Sequence, residues 1–116
     1  MITVTCPVAL HPDGAPLRIA RADALLFAET TQPPAPAAAH LLFDALGLET
    51  RSALPLGTST DITKGAEWHF ILCRIKPPVR ETWRHLTPDG TLVTGRWIPL
   101  SDAGNHPALD WIRATL

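Results

Sequence analysis

The sequence has no tyrosine, one methionine and only two cysteines. Cys6 and Cys73 stand 67 positions apart, so no Cys-x-x-Cys redox or metal motif exists. They read as reduced, buried, small hydrophobes of a cytoplasmic protein, with a disulfide or a reactive thiol as the alternatives. Charge is scarce as well: 18% of residues, balanced to a net −1. The densest basic pairs are Arg18 with Arg21 and Arg80 with Arg84, too sparse for a groove that tracks nucleic acid. No apolar run approaches the ~18 residues a membrane span needs, and the first residues lack the basic segment of a signal peptide. A Gly-rich phosphate loop, a His-x-x-x-His pair and a Gly-x-Ser-x-Gly elbow are also missing.

What is abundant points to a folded chain. Hydrophobic residues make up 46%, which argues against disorder. A length of 116 residues fits one domain over 1–116 with one real core. Twelve prolines fall in short clusters and at turns, not in a linker.

The chain alternates strand and helix signals. Residues 2–10 are β-branched enough for a strand, and His11-Pro12-Asp13-Gly14 is a turn signal with residues 17–20 as the returning arm of a hairpin. Leu25-Leu26-Phe27 reads as a short buried strand. Residues 36–46 form the best helix, with prolines tolerated in its first turn and Gly47 closing it. Residues 52–56 read as a strand and 57–65 as a polar loop. The near-continuous apolar run 67–76 has the signature of a strand buried on both faces. Residues 81–86 and 91–98 flank Pro88-Asp89-Gly90 as a hairpin, and 107–116 closes as a helix. The order predicts an α+β fold with a mixed sheet, one central helix and a C-terminal helix.

The stretch Glu29–Glu49 carries a frame of Ala37, Ala38, Leu42, Gly47 and Leu48. In this frame the sequence resembles the Nudix hydrolases, small single-domain members above all. Their box reads Gly, five residues, Glu, seven residues, then Arg-Glu-apolar-any-Glu-Glu-any-Gly-apolar. With Gly47-Leu48 on its last pair, Leu42 matches the apolar position. The opening Gly is Leu26, the first Glu is Gln32, the Arg is His40, the next Glu is Leu41, and the Glu pair is Asp44-Ala45. Glu29 falls where many members have a further Glu. Trp68-His69-Phe70, Trp83-Arg84-His85, Asp89-Gly90 and Arg96-Trp97-Ile98-Pro99-Leu100 look like the family's later strands. The resemblance implies a Nudix-like α/β/α sandwich.

The family's chemistry needs a divalent metal, usually Mg²⁺, held by several hard oxygen ligands. Positions 41, 44 and 45 are neighbours on a helix at i, i+3 and i+4. Here they are Leu41, Asp44 and Ala45, one carboxylate of three, so Mg²⁺ binding is expected to be weak or absent. The sequence therefore leaves the question of catalysis open. The first reading is a Nudix-fold protein with a degenerate box that binds a small molecule or a protein partner. The alternative is a noncanonical enzyme, either a weak hydrolase of linked nucleoside diphosphates or a metal-independent acid/base catalyst. A third is an interaction module dimerising through Leu41 and Ala45.

The candidate catalytic residues are His40, Asp44 and His69. His40 and Asp44 are able to pair at i, i+4, and Glu67 and His69 share one face of a strand. Glu29, Glu67, Trp83 and His85 are candidates for ligand binding, with Trp83 and Trp97 able to sandwich a planar base. Glu29, His40, Asp44, Glu67 and His69 are expected to line one pocket between helix and sheet. Arg74 and Arg96, placed within strands, call for a carboxylate or phosphate partner if buried.

Overall fold

The structure, a computed structural model, describes residues 1–14 and 16–116. Its elements are β1 (Ile2–Ala9), β2 (Arg18–Arg21), β3 (Ala28–Glu29), α1 (Pro34–Leu46), β4 (Thr50–Ser59), β5 (Ala66–Ile75), β6 (Thr82–Leu86), β7 (Leu92–Pro99) and α2 (Pro107–Thr115). A 3-10 turn at Leu100–Asp102 joins β7 to α2. The fold is α+β. Among the described residues no helix is long and apolar enough to cross a membrane.

Two sheets form. The first has the order β3-β1-β5-β4 and is mixed, since β1 and β5 run parallel while both outer strands are antiparallel. The second, β2-β7-β6, is antiparallel throughout. Side chains alternate across the first sheet. Val4, Cys6 and Val8 of β1 join Trp68 and Phe70 of β5 on one face and meet Leu109 and Ile112 of α2. Ala9, Ile71 and Cys73 point the other way and meet Ala38, Leu42 and Leu46 of α1. The two helices thus cover opposite faces, and β5 is buried on both, as its near-continuous apolar run predicts.

Helix α1 begins two residues earlier than its sequence pattern suggests, because Pro34 at its start has no N–H to satisfy. It stops at Gly47, whose φ of 71° is left-handed and whose N–H returns to Phe43 O at 2.8 Å. Glycine is required there twice over, since a Cβ would also overlap the His85 ring.

Three local expectations are corrected. The strand at 17–20 does form, but it pairs along β7 in the second sheet, and only a Leu10–Ile19 bridge links it to the end of β1. A turn signal reports that the chain reverses, not which strand it joins. Leu25-Leu26-Phe27 is not a strand. Leu25 and Leu26 pack against the two cores from a connecting segment, and the short strand lies just after them at Ala28–Glu29. The polar segment 57–65 contributes its first three residues to β4, because the ten-residue β5 offers a partner backbone along its full length.

Candidate functional site

Leu41, Asp44 and Ala45 of α1 face an open groove of about 520 Å³. Leu41, Asp44, Ala45 and Leu46 form its helical wall. The connection from β2 to β3 supplies residues 22–26, and the β6–β7 turn supplies Thr87, Pro88, Asp89, Thr91 and Val93. The wall is mostly apolar. Its charges are Arg21, Asp23, Asp44 and Asp89. Asp89 is committed to its own turn: its carboxylate accepts from the Thr87 hydroxyl and from Thr91 N. These bonds hold its pKa below the ordinary carboxylate value.

His85 closes the helix end of this region. Its Nε2 lies 2.9 Å from Asp44 O, and a carbonyl only accepts, so Nε2 carries the proton. The ring sits where Gly47 lacks a side chain. Trp83 acts alongside it, donating its indole N–H to Leu46 O at 2.7 Å. Both residues fasten β6 to the end of α1. Trp83 and Trp97 do not form a slot for a planar base: their rings tilt at 53° with centroids 5.6 Å apart, and the Trp97 indole donates to Arg80 O.

The five residues expected around one pocket are not brought together. Glu67 and His69 do pair, Nε2 to Oε1 at 2.6 Å, and lie opposite Thr3 and Thr5 on the α1 face of the sheet. Glu29 lies opposite Val4, whose side chain points to the α2 face, so the sheet itself separates Glu29 from His69. Thr5, the cross-strand neighbour of His69, donates its hydroxyl to Pro34 O at the start of α1. Asp44 lies ten residues further along that helix, about 15 Å by helical rise. His40 is exposed, and among the described residues no hydrogen bond or ion pair joins it to Asp44.

Tertiary contact also creates a cluster around the turn His11-Pro12-Asp13-Gly14. His11 is buried edge-on against Trp97, with ring centroids 5.0 Å apart. Its Nδ1 accepts from Asp13 N at 3.2 Å, and its Nε2 lies 3.6 Å from Glu81 Oε1. Arg18 bridges the two carboxylates, 2.9 Å from Glu81 and 3.3 Å from Asp13. The ligand atoms of His11, Asp13 and Glu81 lie within 4.8 Å of one another, which suits a cation in spacing alone. Arg18 already compensates both acids, and the two imidazole nitrogens face different carboxylates, whereas one ion takes one nitrogen. The cluster is a clamp between the turn after β1 and the approach to β6. Its members lie up to 70 positions apart, so no local pattern signals it.

Arg74 and Arg96, flagged as strand arginines, are both exposed, and neither has a carboxylate partner among the described residues. Cys6 and Cys73 are buried free thiols. The chain matches no family model and no curated protein.

Proposed function

We propose that this chain is a Nudix-like binding protein that has given up metal-dependent pyrophosphate hydrolysis and takes a small molecule in the groove beside α1. One observation carries the reading. The helix face that would hold a metal, Leu41, Asp44 and Ala45, forms the wall of an open groove of about 520 Å³, within the size range of small-molecule sites. A diphosphate is a poor occupant, because three aspartates and one arginine line the groove and nothing neutralises the extra anionic charge without a metal. The lining suits a largely apolar molecule carrying an amine or another hydrogen-bond donor directed at Asp44 or Asp23. The His69–Glu67 pair does not line this groove, which favours binding over acid–base catalysis.

Ligand-observed NMR with a panel of aromatic and aliphatic amines tests this. Binding is expected in the wild type and is expected to vanish in Ala45→Trp, which fills the groove. Micromolar Mg²⁺ or Mn²⁺ binding that disappears in Asp44→Ala, together with phosphate release from nucleotide sugars, would overturn the reading.

A further inference from the structure

A second concavity, of about 610 Å³, lies between the turn that follows β1, the C-terminal half of β5 and the start of β4. Its origin is local. A register shift between Thr50 and Ser52 leaves Arg51 unpaired on β4, while Ser52 stands directly opposite Arg74 of β5. A bulge of this kind bends the strand and re-aims a side chain. Arg74 and Leu72 follow Trp68 and Phe70 on the α2 side of the sheet. Trp111 of α2 stacks on Phe70 with ring centroids 4.0 Å apart, and no residue of α2 lines the concavity. Leu10, His11 and Pro12 form the facing wall.

The lining therefore holds two guanidinium groups, one hydroxyl and no carboxylate. Among the described residues neither Arg51 nor Arg74 makes a salt bridge. The nearest acid in sequence, Glu49, pairs with Lys76 at 3.6 Å. The polar edges of His11 are turned to Asp13 and Glu81, which Arg18 compensates. Two like charges sharing one concavity repel, and an anion between them relieves that repulsion. Planar guanidinium forks match phosphate oxygens in bidentate geometry, and Ser52 Oγ is a further donor. Leu72, with Leu10 of the facing wall, gives an apolar surface for the rest of the molecule.

We infer that this pocket binds a phosphate monoester with an apolar or planar body, its phosphate held by Arg51, Arg74 and Ser52. The site is separate from the groove beside α1 and does not depend on the function proposed there. Arg84 and Arg96 also lack acidic partners, but they stand on β6 and β7, opposite Thr94 and Thr82, and line neither large concavity. They serve as controls.

Calorimetric titration of the full chain with inorganic phosphate, phenyl phosphate and benzoate tests the inference. Phenyl phosphate is expected to bind, more tightly than inorganic phosphate and more weakly as salt rises. Arg51→Gln and Arg74→Gln are each expected to weaken it by about tenfold or more, the usual scale for losing hydrogen bonds to a charged group. Arg84→Gln and Arg96→Gln are expected to leave it unchanged. Circular dichroism confirms that these exposed variants fold. Absence of binding to phenyl phosphate, unchanged binding in the Arg51→Gln/Arg74→Gln double variant, or benzoate binding as tightly as phenyl phosphate would overturn it.

Discussion

Trp83 occupies the space in which a side chain on Gly95 would stand. The two residues are directly opposed in the β6–β7 ladder, and a Cβ on Gly95 would collide with the indole about its ring fusion, at Cε2, Cζ2 and Nε1. The same indole donates its N–H to Leu46 O at the end of α1. This contact fixes the second sheet to the helix that lines the groove.

Gly95→Ala is therefore expected to destabilise the protein by about 2 kcal/mol, the middle of the range for overpacking. The added methyl cannot be absorbed without moving the indole off Leu46. Urea denaturation of Gly95→Ala, Trp83→Leu and the double variant measures it. The two changes are expected to be non-additive, with the alanine costing little once the indole is gone.

Placing glutamates at positions 41 and 45 tests whether the α1 face has the geometry that a metal requires. The Leu41→Glu/Ala45→Glu double variant joins two carboxylates to Asp44 at i, i+3 and i+4. Mg²⁺ at ten times its dissociation constant is expected to stabilise that variant by about 1.4 kcal/mol, raising its Tm by roughly 5 °C. The wild type is expected to show no Mg²⁺-dependent shift in the same thermal scan. A response in the wild type and none in the variant would contradict the placement of this face.

Burial pushes the Cys6 thiol up to about 12, with a smaller contribution from Cys73, and the Cys73 thiol up to about 11. Both folded values lie above the ordinary 9.0. The unfolded chain therefore releases protons first, so the contribution of the thiols is complete below pH 9 and is lost as pH rises towards 12. Denaturation midpoints are expected to fall across that window and to fall less in Cys6→Ala, compared with its own value at neutral pH. Thiol reagents at neutral pH are expected to label neither cysteine until the protein unfolds.

At the acid end Asp89 carries the opposite sign. The Thr87 hydroxyl, then the Thr91 side chain and N–H, hold its pKa below the usual 3.8. Its contribution is present above that value and is lost as pH falls through the lower folded one. Asp89→Asn is expected to flatten the acid limb of the stability curve below the usual 3.8. Carboxyl NMR titration of the wild type gives an independent reading of the same shift.

Much of the architecture is written in local pattern. The apolar run of β5 announces a strand covered on both faces, and α1 and α2 cover it. Proline at its start and glycine at its end bound α1 to within two residues. The Pro88-Asp89-Gly90 turn marks the β6–β7 hairpin correctly. These features depend on periodicity, on a missing N–H or on a positive φ, all of which a sequence displays.

The candidate site was legible only where its members are neighbours in the chain. Glu67 and His69 stand two apart on one strand and do pair. Leu41, Asp44 and Ala45 share a helix face and do share a groove. Glu29 failed to join them because a two-residue strand paired it with Val4 and turned it to the other face, a matter of register that no local pattern fixes. The clamp of His11, Arg18 and Glu81 and the pocket of Arg51 and Arg74 arise between distant segments. The sequence by itself determined where strands and helices lie and which acids the α1 face lacks. Tertiary structure decided which of the remaining charges meet, because pairing register sets the neighbours of each side chain.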